Sequence, residues 1–173
     1  MDRVLDRLWI ASAPSIGAPL YQLGFVALVD LRDRDDHRGG DQKEGHIEIH
    51  KLGNRDGDPW VSAALEEVYG FIHKHIRKGR VLVACGAGMS RSAAMVIGYL
   101  VRVGFDPVSA FALVRRVRPK IAPLPNMLQA ALDVALGHVP DNTIFNGTKL
   151  APPPPPPSVK DKEKTQVDHG KEY

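Results

Sequence analysis

One cysteine and one arginine, Cys85 and Arg91, carry the chemistry that is legible in this chain. Between them stand Gly86, Ala87, Gly88, Met89 and Ser90, and Ser92 follows. Side chains as small as those at Gly86, Ala87 and Gly88 leave the backbone open to a ligand. A run of consecutive N–H groups leading into the first turn of a helix makes a concave positive cradle, which suits an anion. Arg91 adds a planar fork able to hold two phosphoryl oxygens. The same field favours the thiolate of Cys85, and the thiolate is the nucleophile. A nucleophile, an oxyanion cradle and a bidentate arginine on one loop describe phosphoryl transfer through a cysteinyl-phosphate intermediate. Cys85 and Arg91 are therefore the catalytic candidates, and Gly86, Ala87, Gly88, Met89, Ser90 and Arg91 the phosphate-binding ones.

The flanking segments place this loop. Residues 81–84 (Val-Leu-Val-Ala) are all apolar, with β-branched valine at alternate positions, as in a buried strand. Two glycines in three positions then stop the strand. Residues 92–103 read as a helix with serine near its start. In that setting the ten residues Val-Ala-Cys-Gly-Ala-Gly-Met-Ser-Arg-Ser, 83–92, resemble the V-H-C-x-A-G-x-S-R-S loop of dual-specificity phosphatases. These belong to the cysteine-dependent protein tyrosine phosphatase superfamily, whose common signature is C-x5-R. A bare C-x5-R arises by chance; the whole stretch between a strand and a helix is far more specific. One position departs: Ala84 stands where the family usually has a histidine that orients the loop and tunes the thiol. The stretches Leu-Trp-Ile-Ala-Ser at 8–12 and Arg-Pro to Pro-Asn at 118–126 resemble further segments of the same family, so the resemblance runs over about residues 4–137.

A thiolate attacking a phosphate monoester needs the leaving oxygen protonated, so a carboxylic acid must reach the far side of the phosphate. The resemblance places this acid on a flexible loop upstream of the cysteine. Asp56 and Asp58 stand 29 and 27 residues before Cys85. Asp56 fits the spacing better and is followed by a glycine that would let the loop swing; Asp58, before Pro59, also reads as a turn or helix-start residue. Asp30, Asp33, Asp35 and Asp36 read as surface or strand-end charges. The hydroxyl of Ser92 could donate to the Cys85 sulfur and stabilise it as a leaving group, or cap the helix, or do both.

The rest of the chain supplies the frame. Residues 25–31 form a continuous apolar run, the pattern of a buried parallel strand, and residues 32–45 read as an exposed loop. Residues 46–52 alternate as a half-buried strand, and residues 60–78 hold a helix, with Ser62 a candidate cap. A short helix is expected at 18–23. Another runs over 108–117, with Val108, Phe111, Ala112 and Val114 facing inward and Arg115, Arg116 and Arg118 outward. The last spans 123–136, with Asn126 as N-cap. His46, His50, His73 and His75 read as solvated, since none has partners at metal-ligand spacing. Strands alternating with helices give an α/β fold, a central mostly parallel sheet with helices on both faces, and the loop after Cys85 lies at the carboxyl end of a strand, where such sheets bind ligands.

The chain has 173 residues, 43% apolar and 25% charged, the composition of one soluble domain. That domain is expected over 1–150. Six prolines follow, Pro152 the first and Pro157 the last, then a charged segment, so 151–173 reads as a polyproline and disordered tail. The prolines could dock on a proline-recognition domain or act as a plain spacer. No apolar run reaches membrane-spanning length and no signal segment opens the chain, which makes the cytoplasm the default. The sole cysteine excludes an internal disulfide. A net charge of +3 is compatible with anionic substrates and too small to argue for nucleic acid. No metal or cofactor is required. The expected substrate is a phosphorylated protein carrying phosphotyrosine or phosphoserine/phosphothreonine. RNA 5′-phosphate, lipid or small phosphate esters are the alternatives within phosphatase chemistry. Arsenate reduction shares the C-x5-R loop but needs further thiols, and a non-catalytic phosphate-binding module is the remaining reading.

Overall fold

The apolar run that ends at Cys85 is the central strand of a six-stranded sheet. The structure, a computed structural model, describes residues 1–17, 19–33, 40–44, 46–53, 57 and 60–137. In chain order the elements are β1 (Asp2–Arg3), β2 (Leu8–Ser12), a 3-10 helix (Ala13–Gly17), β3 (Phe25–Asp30), β4 (Gly40–Glu44), β5 (Ile47–Lys51), α1 (Ser62–Ile76), β6 (Arg80–Cys85), α2 (Arg91–Arg102), α3 (Pro107–Val117) and α4 (Pro125–Leu136). The sheet order is β1-β2-β6-β3-β5-β4. β6 lies parallel between β2 and β3, in a register that sets Ala84 opposite both Ala11 and Asp30. β5 continues the parallel set, and β1 and β4 close the edges in antiparallel pairing.

Alternation along β6 divides the core in two. Val81, Val83 and Cys85 join the cluster that holds the apolar faces of all four α-helices. Leu82 and Ala84 join a smaller cluster with Ala11, Phe25, Leu28, Ile47 and Ile49, with Ile16 of the 3-10 helix packed against it. Helix therefore flanks both faces unequally. α2 is the keystone of the thick side: every residue from Arg91 to Val101 is buried, because α3 and α4 cover what the sheet leaves open. A helix buried all round is one apolar all round, and of its buried residues only Arg91, Ser92 and Tyr99 carry polar side-chain groups.

Several expectations are corrected. Residues 40–44 are not loop but strand, paired along β5; an edge strand is held by backbone bonds and can be polar throughout. Residues 20–24 form turns, Gly24 N–H donating to Tyr21 C=O at 2.9 Å, rather than a helix. α3 is rotated from the expected phase: Ala110, Leu113 and Val114 are buried, whereas Val108 is 79% exposed. The Asp106 side chain accepts from Ser109 N–H at 2.9 Å and fixes where that helix starts. Neither Ser62 nor Asn126 caps its helix; the N-cap positions are Val61 and Leu124, without side-chain bonds. Two histidines are not solvated. His50 packs its ring on Phe71, and His75 is fully buried, with Nδ1 2.7 Å from Phe71 C=O and Nε2 2.9 Å from Glu48 Oε2. That contact holds the Glu48 carboxyl below its usual range. The domain tail, 151–173, lies outside the described residues.

Candidate active site

Cys85 is the last residue of β6 and Arg91 the first of α2, so the chain between them must turn a strand into a helix at the sheet's carboxyl edge. Gly88 makes the turn at φ 68°, and a Cβ there would sit 2.6 Å from the Ala11 carbonyl oxygen. Both the left-handed backbone and the close approach require glycine.

The loop carbonyls are taken up one after another from outside. Ala13 N–H donates to Gly86 C=O at 3.0 Å. The Arg118 guanidinium donates through Nη2 to Ala87 C=O at 3.2 Å and through Nε to Gly88 C=O at 2.5 Å. Ala122 N–H donates to Met89 C=O at 3.0 Å. A trans peptide points its C=O and the following N–H in opposite directions. Each tether therefore turns the next N–H, on Ala87, Gly88, Met89 and Ser90, away from its anchor. The Gly88 N–H makes the consequence visible: it donates to Cys85 Sγ at 3.2 Å. Behind the loop, Ser90 Oγ accepts from Leu124 N–H at 3.4 Å, and Arg118 Nη1 is paired with Asp2.

The side chains converge as the spacing predicts. Cys85 is 2% exposed and Ser92 is fully buried, with Cys85 Sγ and Ser92 Oγ 3.2 Å apart. Ser92 is thus on the sulfur and not at the helix cap, a position that falls to Ser90. Arg91 is 6% exposed, and its Nη1 donates to Asp33 Oδ1 at 2.5 Å. A thiol, a hydroxyl, a set of aligned amides and a guanidinium within one loop can bind a tetrahedral oxyanion and present sulfur to its centre. Among the described residues no cluster of His, Cys, Asp and Glu could hold a metal ion.

Two participants were not expected from the sequence. Asp33, read as a surface charge, is exposed but reaches the fork of Arg91; nothing in its local sequence signals a partner so far along the chain. Arg118, read as part of the solvated face of α3, lies one residue beyond that helix and turns onto the loop. The signal was there, since Pro119 stops the helix and takes Arg118 off its surface. Asp30 is buried at the end of β3, held by both arms of Arg32 at 2.8 and 2.9 Å. Asp35, Asp36, Asp56 and Asp58 lie outside the described residues. Gly57, between the last two, is described: its φ is 101°, and its carbonyl accepts from Asn126 Nδ2 at 2.7 Å.

Comparison with known proteins agrees with this geometry. The chain matches the family model "Dual specificity phosphatase, catalytic domain" over residues 8–133. A probable dual specificity protein phosphatase of Dictyostelium discoideum is 41% identical over 64 residues, and dual specificity protein phosphatase 19 of Mus musculus 40% identical over 65. Each match covers 36% of this chain and 30% of the relative, so the shared stretch is under a third of either relative's length. The crystal structure of human DUSP28 superposes with a TM-score of 0.69 at 25% identity, covering 79% of this chain and 96% of that one. With the family model matched from the start of β2, through the loop, into α4, the chain belongs to the dual specificity phosphatase catalytic-domain family.

Proposed function

We propose that the chain is a cysteine-dependent phosphatase that hydrolyses phosphate monoesters, with phosphotyrosine and phosphoserine or phosphothreonine in proteins as its substrates. The observation that carries the reading is the contact between Gly88 N–H and Cys85 Sγ, 3.2 Å, which joins the one thiol to the amide cradle. The Cys85 thiolate attacks phosphorus as the bond to the leaving oxygen breaks. Asp56 delivers a proton to that oxygen, giving the free alcohol and a cysteinyl phosphate. Asp56, now a carboxylate, takes a proton from water as the water oxygen attacks phosphorus. The S–P bond breaks, its electron pair returns to sulfur, and inorganic phosphate leaves. Arg91 binds two of the equatorial oxygens throughout, where charge is spread in the transition state. Ser92 stabilises the departing thiolate from 3.2 Å.

The anchoring of Gly57 supports an acid from the loop that holds Asp56 and Asp58, and the spacing to Cys85 favours Asp56. Asn126 ties Gly57 to the start of α4, next to Leu124, which itself bonds Ser90 of the loop. Gly57, between Asp56 and Asp58 in the sequence, is thus fastened to the same wall as the cradle. The absence of lysine and arginine from Gly86 to Met89 favours a monophosphate over a highly phosphorylated inositide. Within the same chemistry, RNA 5′-phosphate and small esters are the competing substrates. Turnover of p-nitrophenyl phosphate, blocked by vanadate, tests the reaction; release of phosphate from phosphopeptides, compared with a 5′-phosphorylated RNA, tests the class. A purified chain that binds vanadate but turns over none of these would make it a phosphate-binding module.

A further inference from the structure

We propose that Arg118 is a positioning residue that sets the shape of the phosphate cradle and its hold on the Cys85 sulfur by holding two peptide groups of the loop. The role deepens the phosphatase reading and rests on it. The peptide joining Ala87 to Gly88 is held at both ends: its carbonyl accepts from Arg118 Nη2 at 3.2 Å, and its N–H donates to Cys85 Sγ at 3.2 Å. The peptide joining Gly88 to Met89 is held by its carbonyl on Arg118 Nε at 2.5 Å, which directs the Met89 N–H the other way. A cation on the carbonyl side of a peptide polarises it, so its N–H becomes a stronger donor to an anion. Arg118 thereby strengthens the donor on the Cys85 sulfur without touching that sulfur, and aims two donors of the oxyanion cradle.

Three features make this more than a packing contact. Gly88 at φ 68° is free to adopt several backbone conformations, so the loop needs an outside hold to keep one. The residue before the cysteine is Ala84, buried and without a polar group, so it offers nothing to the loop carbonyls. Asp2 pairs with Arg118 Nη1, which fixes the guanidinium with its remaining N–H groups on the loop. Among the described residues, the charged groups facing the thiol site are Arg91 at the start of α2, Asp33 just after β3 on Arg91, and Arg118 with Asp2 behind the loop. None but Arg118 bonds a loop carbonyl through its side chain among the described residues.

Because Cys85 is the only cysteine, alkylation by iodoacetamide reports that sulfur alone. The test follows alkylation rate against pH for wild type, Arg118→Met and Arg118→Lys, together with vanadate affinity and kcat and KM on p-nitrophenyl phosphate. Arg118→Met should slow alkylation of Cys85 by about tenfold on the neutral side of the profile, the scale of one charge-assisted hydrogen bond lost from the path to the sulfur. Vanadate affinity should fall by about tenfold, the scale of one charge-assisted hydrogen bond. Arg118→Lys, which can hold only one of the two carbonyls at a time, should fall between. A folded Arg118→Met protein with undiminished alkylation rate and vanadate affinity overturns the proposal. If that variant does not fold, an Arg118→Lys protein with both undiminished does the same. A wild type that turns over no phosphate ester, yet shows the slower alkylation on losing Arg118, sinks the phosphatase reading and keeps the positioning role.

Discussion

Replacing Arg91 by lysine keeps the charge and removes the fork. Arg91 is 6% exposed and meets Asp33 through Nη1 at 2.5 Å, and a guanidinium is a planar fork whose edge offers two parallel N–H donors to an oxyanion. A phosphoryl group in transfer presents its equatorial oxygens to that edge, and each charge-assisted hydrogen bond contributes about 1.5–3 kcal/mol. A lysine ammonium retains one such contact at best, since it is a point donor. It is also drawn to the Asp33 carboxylate, so part of its charge is spent away from the phosphate. Losing one bidentate arm and weakening the other removes about 3 kcal/mol of transition-state stabilisation, or about a hundredfold in kcat/KM. The assay is steady-state turnover of p-nitrophenyl phosphate, with vanadate affinity as the check on oxyanion binding. Adding Asp33→Asn to Arg91→Lys should restore a few-fold by releasing the ammonium. A kcat/KM for Arg91→Lys within a few-fold of wild type would show that charge alone suffices, and the bidentate argument would fail.

Cys85→Ser should bind vanadate or phosphopeptide and release no phosphate, because the cradle is backbone while a serine hydroxyl stays protonated at neutral pH; measurable turnover by the purified variant would remove Cys85 as nucleophile. Ser92→Ala should slow breakdown of the phosphoenzyme more than its formation, giving a burst of p-nitrophenol followed by a lower steady rate in stopped flow; an unchanged time course would return Ser92 to a structural part. Asp56→Asn should lower kcat by about 10²–10⁴ with little change in KM on an unactivated ester, and less on an activated aryl ester. Its wild-type parent must be protonated for the first step, so the rate falls as pH rises through the acid's pKa, and that alkaline limb should flatten in the variant. Asp58→Asn is the comparison: if it is crippled and Asp56→Asn is not, the acid is Asp58.

What could be read from the sequence was what depends on neighbours in the chain. The strand into Cys85, the break at Gly86–Gly88 and the helix from Arg91 follow one another directly, and their order alone sets sulfur, amides and guanidinium on one loop. Ser92 was legible for the same reason, being bound to the loop by sequence distance. Where long-range pairing decides, the pattern was silent. β4 has no apolar alternation and exists because β5 offers it a backbone edge. His75 carries no mark of burial, yet α1 turns it between Phe71 and Glu48. The inward face of α3 was misplaced because Val108 and Ala112 are apolar by type, whereas packing buries Ala110, Leu113 and Val114. Asn126 has the residue type of a cap, but its amide is taken by the carbonyl of Gly57.

The substitution of histidine by Ala84 looks different once these contacts are known. Ala84 points to the small cluster on the far face of the sheet, whereas Cys85 points to the helical layer, as alternation along a strand requires. It is fully buried, in register with Ala11 on one side and Asp30 on the other. A ring at that position would have to find volume in a packed layer before it could reach the loop, and overpacking typically costs about 1–3 kcal/mol. The loop carbonyls are already held: Gly86 by Ala13, Ala87 and Gly88 by Arg118, Met89 by Ala122. These anchors come from the beginning of the domain and from the segment after α3, so the order of the cradle is distributed over parts of the chain far from Cys85. A missing histidine therefore does not by itself argue for a lost activity. In this chain the question of thiol activation moves from residue 84 to the pair Arg118 and Asp2, where charge and geometry are both present.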